Sequence, residues 1–504
     1  MTNHLIDRLR AGGTAPSRVF AETADGAVLS YAELERRTAQ YANALVAMGL
    51  APGDRVALQA EKSLEAVFVY LATVRAGGVF LPLNTAYTPP EIDYFLGDAE
   101  PAIFICDPAE EAVLAPIASA RGVGQVVTMD ANGQGTLREA AEACRSTFED
   151  VPRGPDDLAA LLYTSGTTGR SKGAMLTHEN LASNAQALAE TWHFTSDDVL
   201  IHALPIFHTH GLFVAINVTL AAGASMIFLP KFDSARILAL MSRASVLMGV
   251  PTFYVRLLKS PELTPEAAAG MRLFISGSAP LLAETHREWR ARTSHAILER
   301  YGMTETGMNT SNPFEGERIA GTVGFPLPGV ELRVVAPESW EVLGTGEIGM
   351  IELRGPNVFK GYWRMPEKTA AEFHDGWFVT GDLGLVGPDG YVQIVGRGKD
   401  LVISGGYNVY PKEVETEIDA LPGVIESAVI GIPHPDFGEG VTAVVIASPD
   451  AALDEQVVVE ALEGRLARYK LPKRVIFLDD LPRNTMGKVQ KNLLREQYKG
   501  LYGG

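Results

Sequence analysis

Short apolar runs recur along the first three hundred residues with helix-length amphipathic stretches between them, and this rhythm constrains the fold more tightly than any other feature. RVALQA (55–60), AIFIC (102–106), QVVTM (125–129) and SMIFLP (225–230) are strand-sized. YAELERRTAQYANALVAMG (31–49) sets Leu34, Ala42, Leu45 and Met48 near a helical period. Buried strands alternating with amphipathic helices demand α/β layers with largely parallel sheets. After about residue 320 the texture changes. VELRVVA, GMIELRG and GYVQIVGR are strands parted by turns at Pro337, Gly344, Gly346, Pro388, Asp389 and Gly390, with no long helix between them. That pattern predicts a small antiparallel β unit. From about Asp400 the α/β alternation resumes through KEVETEIDAL, IESAVIGI, TAVVIAS and RVIFLD, which predicts a separate domain of ordinary size. The expected division is an N-terminal domain over 1–399, its β-rich part at about 320–399, and a C-terminal domain over 400–504.

Charge and cysteine content narrow the function. Forty-three basic against sixty-one acidic residues leave a formal net charge of −18, which repels nucleic acid and an anionic membrane surface. Only Cys106 and Cys144 occur, too few for a disulfide framework and without zinc-site spacing, as expected of a reducing cytoplasm. The opening MTNHLIDRLRAGG lacks an apolar core of signal-peptide length, and no run approaches the ~18 apolar residues of a membrane span. A cytoplasmic enzyme with no nucleic-acid or membrane partner is expected.

The stretch YTSGTTGRSKG (163–173) cannot bury anything: it is made of glycines, hydroxyl-bearing residues and the cations Arg170 and Lys172. Glycines let successive N–H groups point to one side and cradle an anion, while Ser and Thr hydroxyls add donors. LAALLYT before it reads as a buried strand and THENLASNAQALAE after it as a helix capped by Thr177. Strand, glycine-rich turn and helix is a context in which phosphate is held. The spacing is wrong for a P-loop, because Lys172 is followed by Gly173 and the glycines at 166 and 169 lie too close.

The string resembles the phosphate loop of the adenylate-forming superfamily, which contains acyl-CoA synthetases, luciferases and the adenylation domains of peptide synthetases. Its other signatures follow in order: SGSAPL (276–281), YGMTET (301–306), VTGDLG (379–384), GRGKDLVISGGYNVYPKEVE (396–415) and LPRNTMGKVQK (481–491). The resemblance implies the superfamily fold: a large N-terminal domain of layered α/β sheets with a small β-barrel-like subdomain, and a small mobile C-terminal α+β domain. It assigns Thr164, Ser165, Gly166, Thr167, Thr168, Gly169 and Lys172 to the ATP phosphates. Ser278, Ala279, Tyr301 and Gly302 flank the adenine, Thr304 meets phosphate, and Glu305 binds Mg²⁺. Asp382 takes the ribose hydroxyls, Arg397 lies near ribose and phosphate, Asp400 is the interdomain hinge, and Lys488 is the catalytic amine.

Those residue types suit the chemistry. A carboxylate attacking the α-phosphorus of ATP brings two anions together, and cations must offset the repulsion. In the second half-reaction the thiol of coenzyme A must reach the acyl carbon from the side Lys488 would cover, which superfamily members achieve by rotating the small domain. Gly405 and Gly406 suit close approach of a pantetheine arm. By resemblance His208 in PIFHTHG gates the acyl pocket; the His-x-His spacing would also suit a metal, but no further ligand cluster is visible and His210 is read as structural. Acetylation of Lys488 by an acetyltransferase, reversed by a deacetylase, would remove its charge and switch adenylation off.

The acid is less sharply specified. Gly302 stands where acetyl-CoA synthetases place an indole, so a pocket larger than acetate needs is expected. Arg256 and Arg300 lie beside pocket motifs, and a buried guanidinium needs a partner. ERYGMTET with SGSAPL resembles the malonyl-CoA and methylmalonyl-CoA synthetases. By that likeness Arg256, Ser278 and Arg300 bind the distal carboxylate of malonate, unless Arg300 pairs internally with Glu299. A ligase for another short-chain or aryl acid, a stand-alone adenylation enzyme serving a carrier protein, and a noncatalytic nucleotide-binding protein are the alternatives.

Overall fold

The computed structural model describes residues 2–164, 171–405, 407–451, 453–484 and 487–503. Among these, four sheets form. One has six strands in the order Gln125–Thr128, Ile103–Cys106, Arg55–Gln59, Val79–Pro82, Leu158–Thr164 and Lys172–Thr177, parallel except for the last pair. A nine-stranded sheet has a parallel centre in the order Val19–Thr23, Ser225–Phe228, Val199–His202, Val246–Gly249, Leu273–Ser276 and Leu298–Met303. The antiparallel strands Gly307–Ser311 and Phe325–Pro326 extend one edge, and Val28–Ser30 the other. The strands IFIC, VLMG and LFIS are buried at every position, as parallel strands covered on both faces must be.

Helices form where caps and apolar stripes coincide. Ser30 accepts from Glu33 N to open Tyr31–Ala47, which buries Leu34, Thr38, Tyr41, Ala42 and Leu45. Leu64–Arg75 is buried on all sides apart from Glu65 and reads as continuous hydrophobic sequence for that reason.

The glycine-rich stretch corrects one expectation. Lys172–Thr177 does not lead from a loop straight into a helix; it is a strand pairing antiparallel with Leu158–Thr164, Thr164 opposite Lys172. The helix His178–Thr191 begins only afterwards, with Thr177 and Asn180 forming a reciprocal cap. The helix N-terminus is therefore a strand's length beyond Lys172. Ser165, Gly166, Thr167, Thr168 and Gly169 themselves lie outside the described residues, as does Gly406.

The β-rich part is a five-stranded antiparallel sheet in which Glu331–Val335, Gly349–Arg354 and Trp377–Val386 adjoin in turn, and both Phe373–His374 and Val392–Arg397 pair with Trp377–Val386. The C-terminal sheet orders Tyr407–Val409, Val402–Ser404, Gly438–Ala447 and Val424–His434, with Arg474–Phe477 parallel to Gly438–Ala447. It has its own core around Val414, Ile418, Val429, Val441 and Val458. No helix among the described residues is long and apolar enough to cross a membrane.

Candidate active site

The parallel strands of the nine-stranded sheet end together, and the chain segments leaving their carboxyl ends build the site, the usual place for ligands in an open α/β sheet. Ser276 ends one strand and leads into Gly277 and Ser278; its neighbour carries Arg300 and Tyr301. The following turn, 304–308, is pinned from outside. Asn184 donates to Met308 O and accepts from Met308 N, at 2.8 and 3.0 Å, and Asn357 donates to Thr306 O at 2.8 Å.

One group of residues centres on Asp382. Its strand partner in register is Arg397, whose Nε lies 2.7 Å from Asp382 Oδ1. The Tyr301 hydroxyl donates to Asp382 Oδ2 at 2.5 Å. An aromatic ring, a carboxylate and a guanidinium thus converge from two sheets, which suits a nucleoside. Burial, then Asp382, raise the Tyr301 phenol well above its ordinary value, so it remains a donor. Gly302 owes its identity to close packing: a Cβ would stand 2.3 Å from Gly307 O and 2.4 Å from Met308 Cε.

Glu305 is buried and accepts from the Tyr362 hydroxyl at 3.0 Å. Desolvation holds its carboxyl above the usual range, opposed by Arg397 and Lys172. Lys172 lies 4.1 Å from the Tyr362 ring centroid and 3.5 Å from Glu372. No group of three or more metal-ligating side chains occurs among the described residues. A lone buried carboxylate fits a hard cation that arrives with phosphate oxygens already bound, which is how Mg²⁺ accompanies nucleotides.

Lys488 comes from the other lobe. A turn closed by Asn484 N to Lys488 O at 2.9 Å and Lys488 N to Asn484 Oδ1 at 3.0 Å presents it, and the adjoining Gly487 packs on Thr252, where a Cβ would meet Cγ2 at 3.1 Å. Crowding in the cleft and repulsion from Arg397 lower the ammonium's pKa, against the pull of Asp382 and Asp400. The side chain is nonetheless open to water. Asp400, in the turn Gly398–Asp400 where the lobes join, is held by Arg495 of the last helix at 2.6 Å. Gly405 adopts φ +61° and its N–H donates to Phe437 O at 2.8 Å.

A second polar group lines the far side. Arg300 is 4 % exposed and stacks on Gly277, where a Cβ would stand 2.3 Å from Cζ. Its Nε and Nη2 are buried without a partner among the described residues. Desolvation pushes its guanidinium down to about 9. His208 is held neutral, at about 4, by burial and by Arg300 and Lys488. Its Nδ1 accepts from His210 N at 3.4 Å, which leaves the ring proton on Nε2. Ser278 sits at φ +72°, a strained backbone for a residue with a Cβ, and its Oγ is 3.3 Å from His210 Nδ1. Arg256 is not brought into this group by any contact: it is exposed on the helix Pro251–Leu258, 5.7 Å from the Phe232 ring centroid.

The residues that sequence patterns did not single out are Tyr362, His202 and Lys62. GYW and LIHALP carry no signal for the first two, and Lys62 stands in an unremarkable EKS.

The ring, carboxylate and guanidinium at Tyr301, Asp382 and Arg397, the buried carboxylate of Glu305, the amine of Lys488 and the buried polar group around Arg300 together suit activation of a carboxylic acid by ATP. The chain belongs to the AMP-binding enzyme family, whose model matches residues 10–363, with the AMP-binding enzyme C-terminal domain at 413–488. It is an ATP-dependent acid–CoA ligase of the adenylate-forming type. It is similar to ATP-bound MatB from Rhodopseudomonas palustris, with 64% identity over the whole of both chains and a TM-score of 0.98. Against the apo form of that protein the TM-score is 0.87. Among curated relatives, a feruloyl-CoA synthase from Amycolatopsis sp. is 38% identical over 94% of both chains. A malonate–CoA ligase from Arabidopsis thaliana is 37% identical over 89% of this chain and 78% of its own.

Proposed function

We propose that the enzyme ligates malonate, and by extension methylmalonate, to coenzyme A through an acyl-adenylate, releasing pyrophosphate and then AMP. The observation that carries the choice of acid is the buried guanidinium of Arg300, with two nitrogens unpaired among the described residues. A second carboxylate on the substrate supplies the missing partner through charge-assisted bonds worth about 1.5–3 kcal/mol. A monocarboxylic aryl acid would leave that cation facing a neutral ring. The likeness to MatB and to the plant malonate–CoA ligase supports the same acid.

In the first half-reaction a carboxylate oxygen of the acid attacks the α-phosphorus and the bond to pyrophosphate breaks. Tyr301 stacks on the adenine, Asp382 accepts from the ribose hydroxyls, and Arg397 and Thr304 meet phosphate oxygens. Lys488 lies over the cleft to neutralise charge where the two anions meet. Glu305 would hold Mg²⁺, which would supply charge neutralisation at the phosphates. Thr164 and Lys172 flank the phosphate loop. In the second half-reaction the coenzyme A thiolate attacks the acyl carbon and AMP leaves. Rotation about Asp400 withdraws Lys488 and brings Gly405 and Gly406 to the pantetheine arm, with His208 at the gate. Arg256 joins Arg300 on the distal carboxylate once its side chain turns inward from Phe232, and Ser278 lines the same pocket. Lys488, open to water in the cleft, is accessible to an acetyltransferase.

The decisive experiment is CoA-dependent AMP release from malonate, methylmalonate, acetate, coumarate and ferulate. Malonate should lead by kcat/KM; a lead for an aryl acid or acetate would overturn the assignment.

A further inference from the structure

Lys62 is a buried lysine with no carboxylate beside it among the described residues. Its ammonium contacts His202 Nδ1 at 2.9 Å, His202 O at 2.9 Å and Leu229 O at 2.6 Å, and lies 4.3 Å from the Phe228 ring centroid. An ammonium has three protons to donate, and three acceptors meet it. Burial alone pushes its pKa well below the ordinary lysine value, while three acceptors around one nitrogen is the geometry that suits a protonated amine. Because Nδ1 of His202 accepts, its proton sits on Nε2, 2.8 Å from Gly211 O. His202 is itself buried and neutral, desolvated and repelled by Lys62.

Gly211 is the second residue of a π-helical turn, His210–Ile216, a geometry that often marks functional sites. No side chain fits at Gly211, since a Cβ would stand 2.0 Å from Pro205 O. The carbonyl held by His202 and the backbone packed on Pro205 together fix the first residue of the turn, His210. That imidazole is fully buried, meets Ser278 Oγ through Nδ1, and leaves Nε2 without a partner among the described residues. Arg300 lies close enough to depress its basicity. An unpaired imidazole nitrogen beside an unpaired guanidinium is a donor pair for one carboxylate.

We infer that His210 is a specificity-determining residue that shares the distal carboxylate of the acid with Arg300, and that Lys62 and His202 form a buried brace that positions it. The inference rests on the dicarboxylate assignment above. In the proposed arrangement Ser278 Oγ donates to Nδ1, so the His210 proton stands on Nε2, the nitrogen left for the anion.

The test compares Lys62→Met, His202→Leu and His202→Gln, the last keeping an N–H donor near the position of Nε2, with His210→Phe. For each, kcat and the KM values for the acid and for ATP are measured beside the thermal midpoint. The acid used is the one that wild-type enzyme prefers. Lys62→Met and His202→Leu should raise KM for the acid about tenfold or more, while KM for ATP stays within about twofold, and His202→Gln should recover most of the loss. His210→Phe should weaken a dicarboxylate more than a monocarboxylate. If Lys62→Met does not fold, the His202→Leu and His202→Gln pair decides alone. Equal changes in both KM values, a loss confined to the thermal midpoint, or a Gln variant no better than Leu would overturn the brace. A wild-type preference for a monocarboxylic acid would instead overturn the dicarboxylate assignment, and the brace could still be read from that acid's KM.

Discussion

Glu299 and Arg300 are consecutive on one strand and face opposite sides of the sheet: Glu299 approaches His286 Nδ1 at 3.5 Å and accepts from Gly321 N at 3.1 Å, while Arg300 keeps Nε and Nη2 buried and, among the described residues, unpaired. Strand alternation forbids the internal pair that adjacency in sequence suggests. A charge left in this condition destabilises the empty enzyme and strengthens binding of whatever anion relieves it.

Arg300→Met should therefore lower kcat/KM for the preferred acid by roughly ten- to a hundredfold, the worth of one or two charge-assisted bonds. KM for ATP should hold, and the thermal midpoint without substrate should not fall, because an uncompensated buried cation has been replaced by an apolar chain of similar reach. Steady-state kinetics with each substrate varied in turn, beside a melting curve, check all three. Full retention of malonate activity would remove Arg300 from the acid pocket.

Asp382 predicts a complementary pattern. It accepts from both Tyr301 and Arg397, so Asp382→Asn should weaken ATP by roughly ten- to a hundredfold, while Tyr301→Phe, which keeps the ring, should cost only about two- to tenfold. Neither should alter KM for the acid by a comparable factor. Nucleotide titrations followed by calorimetry would separate binding from turnover.

How much of this is visible in the sequence depends on whether a feature is local. The strands RVALQ, IFIC, QVVT and SMIF and the helix Tyr31–Ala47 follow from hydrophobic period alone, and the structure has them. Lys172–Thr177 escapes because KGAMLT carries no clean alternation; pairing with Leu158–Thr164 makes it a strand, and pairing is a tertiary fact. The candidate site residues sit in short motifs whose spacing survives on paper, so Tyr301, Glu305, Asp382, Arg397 and Lys488 can be singled out one by one. Their convergence is not, since Asp382 meets Tyr301 across two different sheets. Lys62 and His202 lie 140 positions apart, and nothing in their neighbours tells of the bond between them.

On the proposed mechanism Lys488 separates the two half-reactions. Its ammonium is near Asp382, Arg397 and Asp400, and the proposed thioester-forming step needs it elsewhere. Lys488→Met should lower acid-dependent pyrophosphate release by about a hundredfold or more, in line with the loss of one preorganised charge. Transfer of a preformed acyl-adenylate to coenzyme A should proceed at close to the wild-type rate. Acetylated Lys488 should behave as the Met variant does. Equal losses in both half-reactions would mean that the residue holds the lobes together and not the reacting charge.

Stability should fall on mild acidification, and one histidine makes the sign testable. His178 is fully buried at the start of its helix, and its Nδ1 accepts from Leu5 N at 3.2 Å, fastening the N-terminal helix to the core. Burial, with Arg153, pushes its imidazole from 6.5 down to about 4. Above about pH 6.5 both folded and unfolded chains carry it neutral, and its contribution is fully present. As pH falls from about 6.5 to about 4 the unfolded chain takes up the proton and the folded one does not, so stability drains away by on the order of 3 kcal/mol from this group. Below about 4 both states are protonated and no more is lost. His178→Asn keeps an acceptor near the position of Nδ1 and cannot titrate, so its thermal midpoint should decline less than that of wild type between pH 7 and pH 4.5. Parallel declines in the two proteins would show that other groups, carboxylates among them, carry the acid sensitivity.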